Sequence, residues 1–143
     1  MYPRIRCWAV QEGASVQDSP YANKTSGWIK VEATVNAPNI NTTQADLEKH
    51  AKDRKYFPQR LNTFILASQA SKDLAEKYLD EALIEAREII VKGTTTSRLG
   101  SCCEIREIKV NFYADGSMGV GLLEPDEHYS EVGGRFEQVK KFN

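Results

Sequence analysis

Residues 103–123 read CEIREIKVNFYADGSMGVGLL, two apolar-rich segments on either side of an Asp-Gly pair. In the first segment apolar and polar residues alternate, which is the pattern of a β-strand with one buried face. Asp115-Gly116 is typical of a two-residue type I′ turn, because both central positions of that turn need positive φ. The stretch therefore predicts a β-hairpin of strands 103–113 and 118–123. Its core-facing residues are Ile108, Val110 and Phe112.

The two-residue turn also predicts the register of this hairpin. It places Tyr113 opposite Met118, Phe112 opposite Gly119, Val110 opposite Gly121, and Ile108 opposite Leu123. The glycines then face the bulky side chains of Phe112 and Val110. A glycine in a strand leaves space above it, either for those side chains to lie across the strand or for a helix or a ligand to approach closely.

A helical pattern precedes the hairpin. In residues 72–92 apolar residues recur at spacings of three and four, and Gly93 fits the left-handed residue that ends a helix. The apolar positions are Leu74, Ala75, Tyr78, Leu79, Ala82, Leu83, Ala86, Ile89 and Ile90. The pattern predicts one long amphipathic helix. Its wide apolar stripe indicates a large partner surface, formed by the sheet and by a second copy of the chain in a homo-oligomer.

The N-terminal half predicts two strands and a helix. Apolar and polar residues alternate in 4–10 and in 28–36, and a long polar loop joins these segments. Thr43 followed by Asp46 is a typical helix start, since the threonine can cap the helix and the acid lies at its positive end. Residues 44–56 are therefore predicted to be helical.

The remaining segments complete an α+β order. Segment 60–67 fits either a helix or a strand, and we favour the helix. Residues 126–143 read as a polar C-terminal tail. The whole chain, 1–143, then forms a single α+β domain. Its antiparallel sheet, made of the N-terminal strand pair and the C-terminal hairpin, packs against a helical middle that contains the long amphipathic helix.

Composition excludes several classes of protein. The chain has 143 residues and a formal net charge of −1, which argues against a general nucleic-acid coat protein. It has no apolar run long enough for a membrane span, and its first residues lack the apolar core of a signal peptide. We therefore expect a cytoplasmic protein that does not bind a membrane. The three cysteines lack metal-site spacing, so neither a metal nor another cofactor is predicted.

Two adjacent cysteines are the strongest catalytic candidates. Cys102 or Cys103 could be a reactive thiol if Arg98 or Arg106 lies close enough to lower its pKa. A cysteine nucleophile also needs a base, and no spacing places His50 or His128 nearby. The simpler interpretation is one buried and one exposed thiol on a strand. A non-catalytic protein is favoured, although the residues do not decide the question.

Two charged stretches have equally simple interpretations. Asp126, Glu127, His128 and Glu131 could bind a divalent metal, but a single histidine without regular spacing favours a solvated turn. The basic residues of the first helix are Lys49, His50, Lys52, Arg54, Lys55 and Arg60. They could contact an acidic partner or nucleic acid, but intervening acids favour a solvated helix face.

The N-terminal strand pair provides the predicted ligand surface. Arg4, Arg6 and Trp8 share one face of the first strand, and Trp28 and Lys30 share one face of the second. If the strands pair antiparallel, these residues form one patch of indoles and cations, which can stack on a planar group and pair with an anion. The competing interpretation is that both tryptophans pack under the helices while the basic groups reach solvent.

These patterns favour a non-catalytic binding protein. Its ligand is a small anion, nucleotide-like molecules included, or a protein partner. The first alternative is an interaction or inhibitor protein that docks to a larger macromolecule through the basic first helix and 126–143. The second is a cysteine-dependent enzyme that uses Cys102 or Cys103.

Overall fold

The computed structural model contains two helices and eleven strands in its described part. It describes residues 5–8, 17–18, 28–32, 34–54, 56–85, 88–90, 95–103 and 106–139, and of these 5–8, 50–54, 83–85, 88–90, 103 and 139 as backbone only. The helices are α1 (Gln44–Arg54) and α2 (Leu61–Ala75). The strands are β1 (Ile5–Trp8), β2 (Gln17–Asp18), β3 (Ile29–Val31), β4 (Phe57–Pro58), β5 (Glu81–Glu85), β6 (Glu88–Ile90), β7 (Thr96–Cys103), β8 (Arg106–Tyr113), β9 (Met118–Leu123), β10 (Val132–Gly134) and β11 (Phe136–Val139).

The larger sheet is organised around β8. Antiparallel β9 occupies one edge of β8, while β7 and then β5 follow one another along its other edge. β1 lies parallel to β9, β10 lies parallel to β7, and β6 forms a hairpin with β5. A smaller antiparallel sheet has the order β3-β11-β4. The fold is therefore α+β with sheets that are mainly antiparallel.

One face of the β8–β9 hairpin forms the core with α2. Phe64 and Ile65 of α2 pack on Ile108, Val110 and Phe112, which confirms the predicted buried face of the hairpin. The ring of Phe112 lies 5.8 Å from that of Phe64 and stacks at 4.9 Å on the ring of Tyr78. Alternation along β8 therefore places Glu107, Lys109, Asn111 and Tyr113 on the opposite face.

The predicted two-residue turn is wrong by one residue. Gly116 alone adopts a left-handed φ, of 86°, and the Tyr113 N–H donates to the Ser117 carbonyl at 2.8 Å. Asp115 Oδ1 accepts the Ser117 N–H at 2.9 Å, which stabilises a three-residue loop ending in Gly116. The register shifts accordingly. Phe112 lies opposite Met118, Asn111 opposite Gly119, Val110 opposite Val120, Lys109 opposite Gly121, Ile108 opposite Leu122, and Glu107 opposite Leu123.

The predicted long helix over 72–92 is wrong beyond Ala75. Glu76 takes a left-handed φ of 64° and donates its N–H to the Lys72 carbonyl, which ends α2. Residues 81–85 and 88–90 are strands instead. The helical spacing of apolar residues is overridden because Asp80 forms a buried ion pair and the next residues pair with β8.

The other two helices are present as predicted, although α1 ends at Arg54, before the predicted end at 56, and α2 begins at Leu61 with Arg60 as its N-cap. α1 begins with the predicted cap: the Asp46 N–H donates to Thr43 Oγ1 at 3.3 Å, and the Thr43 N–H donates to Asp46 Oδ2 at 3.0 Å. Segment 60–67 forms the first half of α2. In the described residues, no helix is long and apolar enough to cross a membrane.

Buried ion pairs attach the C-terminal strands to the rest of the molecule. Arg135, between β10 and β11, contacts both oxygens of Asp80 at 3.3 Å, and both side chains are fully buried. Arg60, at the start of α2, contacts the buried Glu137 through two nitrogens at 3.0 and 3.1 Å. Within the segment predicted as a polar tail, residues 132–134 and 136–139 thus form strands with interior contacts.

Gly133 lies where β10 touches the chain before α1. A β-carbon at this position would clash with the Pro38 carbonyl oxygen and would lie 2.8 Å from Ala37 Cβ. We expect Gly133→Ala to destabilise the fold by about 2 kcal/mol, because rigid backbone must move. Urea unfolding measures this. Gly121→Ala is the matched control, since its β-carbon meets only the flexible Lys109 side chain; equal losses in both variants would contradict the prediction.

Candidate functional site

A groove lies on the face of β7–β9 opposite the core. Its volume is about 470 Å³, within the size range of small-molecule sites. The lining residues come from β7, β8 and β9, from the segment that leads into β10, and from the first residue of β10. They are Thr96, Lys109, Asn111, Tyr113, Gly119, Val120, Gly121, Leu122, Leu123, Glu127, Tyr129, Glu131 and Val132.

Two glycines of β9 make room for the polar residues of β8. A β-carbon on Gly119 would lie 2.6 Å from Asn111 Oδ1 and 2.7 Å from the Tyr113 hydroxyl oxygen. A β-carbon on Gly121 would lie 3.0 Å from Lys109 Cε. The side chains of β8 therefore lie across β9, and this arrangement puts an amide oxygen, a phenol and the lysine stem beside the groove.

Lys109 is the cation of the groove. Its side chain is half-buried, and within the described residues it forms neither a hydrogen bond nor an ion pair. Thr96 Oγ1 is buried at the groove wall and likewise has no hydrogen-bond partner in the described part of the chain. The ammonium group of Lys109 is a donor without a hydrogen-bond partner among the described residues, and its attraction helps to lower the pKa of Glu127.

The opposite side of the groove is acidic. Glu127 accepts the Glu124 N–H at 3.0 Å and a short hydrogen bond from the Tyr129 hydroxyl, and the latter lowers the pKa of Glu127. The carboxylate of Glu131 accepts a hydrogen bond from the Ser130 hydroxyl at 2.9 Å. The groove therefore presents a cation and two carboxylates from different elements.

A buried ion pair lies beside the groove on the same face of the sheet. Arg98 Nη1 donates to Glu107 Oε2 at 2.7 Å, and Arg98 Nη2 donates to the carbonyl oxygen of Glu127. Neither Arg98 Nε nor Glu107 Oε1 has a hydrogen-bond partner among the described residues. Burial raises the pKa of Glu107 to about 7, an effect that the guanidinium of Arg98 only partly offsets.

The predicted ligand surface on the N-terminal strands is not assembled as expected. β1 pairs with β9 and β3 pairs with β11, so the two strands belong to different sheets. Arg4 lies outside the described residues, and Arg6 and Trp8 are described only as backbone. Trp28, which immediately precedes β3, is 71% exposed. Lys30, in the middle of β3, is also exposed. β1 and β3 do not pair with each other because β1 binds the edge of β9 and β3 binds the edge of β11.

The other sequence candidates are dispersed. Cys102 is half-buried on β7 as a thiol, and the side chain of Cys103 lies outside the description. His128 Nδ1 lies 2.7 Å from Asn41 Oδ1. Across the residues that the structure describes, no group of three metal-ligating side chains comes together, so the cluster around His128 does not form a metal site there.

Sequence reasoning missed the groove residues Lys109, Asn111 and Tyr113. The signal was present, because they alternate with the predicted core residues of β8. The assumed turn placed the glycines of β9 opposite core residues, whereas the observed register places them opposite Asn111 and Lys109. A one-residue change of register moves every side chain to the other face.

Comparison with known proteins finds no relative: no family model, no curated protein sequence and no solved structure matches this chain.

Proposed function

We propose that this protein is a non-catalytic binding protein that holds a small anionic ligand in the groove over Gly119 and Gly121. The observation that carries the proposal is the half-buried Lys109 beside a groove of about 470 Å³, because its ammonium group has no hydrogen bond or ion pair with the residues that the structure describes. An anion at this position would form a charge-assisted hydrogen bond, and such bonds are roughly twice as strong as neutral ones. The ligand site thus moves from the N-terminal strands to the hairpin.

The groove also supports an apolar portion of the ligand. Leu123, Val132 and the ring of Tyr129 line it, and ligand sites typically combine apolar walls with a few polar groups. A small carboxylate or phosphate with an aromatic or aliphatic body fits this combination.

The test uses 3-phenylpropionate and phenyl phosphate as probes in thermal unfolding. At about 100 times its Kd, a bound probe stabilises the protein by about 2.7 kcal/mol. For a chain of this size we expect the midpoint to rise by roughly 5–10 °C. Lys109→Gln should abolish the rise, because it removes the cation and keeps most of the side chain.

Ala114→Val, in the exposed turn of the same hairpin, is the matched control and should keep the full rise. The proposal fails if neither probe shifts the midpoint of the unsubstituted protein at millimolar concentration. It also fails if Lys109→Gln shows the same rise.

A protein partner is the second candidate for the binding function. The supporting observation is that Leu66 and Leu74, on the outer face of α2, are 68% and 88% exposed. The predicted homo-oligomer depended on a stripe over 72–92, and the helical part of that stripe ends at Ala75. We therefore propose the exposed face of α2 as the surface for homo-oligomerisation. We also propose that the protein is cytoplasmic.

A further inference from the structure

We infer that the ligand is a zwitterion of about dipeptide size, with its anionic group on Lys109 and its ammonium group on Glu131. This inference rests on the proposed function, which assigns the anionic group alone. It adds the second charge of the ligand and the distance between the two charges.

The charges of the groove come from opposite sides. Lys109 lies on β8, and its stem crosses Gly121 of β9. Glu131 immediately precedes β10, which lies beyond β7. A ligand with a single negative charge would pair with Lys109 but would leave the negative charges of Glu127 and Glu131 in the same groove unbalanced. A zwitterion adds a positive charge that these carboxylates attract.

Glu131 is the better partner for the ammonium group. Glu127 already accepts hydrogen bonds at both carboxylate oxygens, from the Glu124 N–H and from the Tyr129 hydroxyl. The carboxylate of Glu131 is exposed, and its described hydrogen bond comes from the Ser130 hydroxyl to Oε2. Glu131 therefore has acceptor capacity for an ammonium group. Glu127 adds a second negative charge in the same groove, which also attracts the ammonium group.

The strand spacing sets the size of the ligand. β8 and β10 lie on opposite sides of β7, two strand spacings or about 10 Å apart. Lys109 pairs with Arg98, which pairs with Gly134, so Glu131 is also offset by three residues along the strand and the two Cα atoms are roughly 14 Å apart. The charges of a single α-amino acid are too close together to reach both sides. Two extended residues span up to about 7 Å. The stem of Lys109 lies over Gly121 of β9, away from β10, so the Glu131 side chain and the two charge-assisted hydrogen bonds, each about 2.8 Å, must cover the remainder. Side chains of such a ligand would pack on Tyr129, Leu123 and Val132.

Isothermal titration calorimetry with three probes tests this inference. The probes are phenylalanyl-alanine, its N-acetyl derivative, which lacks the ammonium group, and its C-terminal amide, which lacks the carboxylate. We expect the free dipeptide to bind about tenfold more tightly than the N-acetyl form, which is the factor that about 1.4 kcal/mol produces. Glu131→Gln should remove this difference without weakening binding of the N-acetyl form. Glu76→Gln, on the exposed end of α2, is the matched charge control and should change nothing.

The outcomes separate this inference from the proposed function. Equal affinity for the free and N-acetyl dipeptides would overturn the zwitterion and leave the anion site intact. Equal affinity for the free dipeptide and its amide would overturn the role of Lys109, and with it the proposed function. Absence of binding by all three probes would overturn the inference, and the phenylpropionate experiment would then decide the proposed function alone.

Discussion

Arg135→Met should destabilise this protein by about 3–5 kcal/mol, because it leaves the carboxylate of Asp80 buried without its counter-ion. Arg135 Nη2 donates to Asp80 Oδ1 and Nε to Asp80 Oδ2, each at 3.3 Å, and both side chains are completely buried. Arg135 Nη2 also donates to the Val35 carbonyl at 3.0 Å, and Nε donates to Ser97 Oγ at 2.9 Å. Removal of the guanidinium therefore takes away the counter-ion of Asp80, whose carboxylate keeps only the hydroxyl donors Thr95 and Ser97.

Thermal unfolding measures this loss as a fall in the midpoint of roughly 10–15 °C. Arg106→Met is the matched control, because Arg106 and Glu124 form an ion pair of 2.9 Å whose side chains are 54% and 42% exposed. That control should cost less than about 1 kcal/mol. Adding Asp80→Asn to Arg135→Met should recover part of the loss, since the amide leaves no buried charge. If both arginine substitutions lower the free energy of unfolding by the same amount, the buried pair contributes no more to stability than the exposed pair, and the prediction is wrong.

Local patterns predicted local structure correctly. The cap of α1 needs only Thr43 and Asp46, which are three residues apart, and the structure contains both of its hydrogen bonds. The core face of β8 follows from simple alternation, and Ile108, Val110 and Phe112 are buried.

Failures arose where distant residues decide. Residues 76–92 have a helical pattern, yet the contact of Asp80 with Arg135, 55 positions away, and the pairing of β5 with β8 outweigh it. No periodicity in 72–92 contains that information. The hairpin register depends on whether the turn has two or three residues, and this difference of one residue decides which side chains lie opposite the glycines. The sequence therefore did not predict the groove, although many of its residues lie in the hairpin whose strands were predicted correctly.

Glu107→Gln should stabilise the protein at pH 8 and have little effect near pH 4. Burial raises the pKa of Glu107 to about 7 from an ordinary value of 4.5, and Arg98 offsets this only in part. Glu48 of α1 adds a small repulsion in the same direction. A carboxyl whose pKa is higher in the folded state holds its proton more tightly when folded. Its contribution to stability is complete below pH 4.5 and is lost as the pH rises to about 7.

The size of this loss is roughly 3 kcal/mol, because each pKa unit corresponds to about 1.4 kcal/mol. Glutamine resembles the protonated carboxyl, so the variant keeps at pH 8 the stability that the glutamate loses. The measurement is the difference in unfolding free energy between the two proteins from pH 4 to pH 8, which cancels the titration of other groups.

Glu124→Gln, in the exposed pair with Arg106, is the control and should show a nearly constant difference. The opposite result, a glutamine variant less stable at pH 8 than at pH 4 relative to the parent, would mean that Arg98 outweighs the cost of burial. Arg98 and Glu107 would then be a stabilising ion pair beside the groove. In the expected case, Glu107 is neutral below about pH 7, and Arg98 then adds an uncompensated positive charge beside the anion-binding end of the groove.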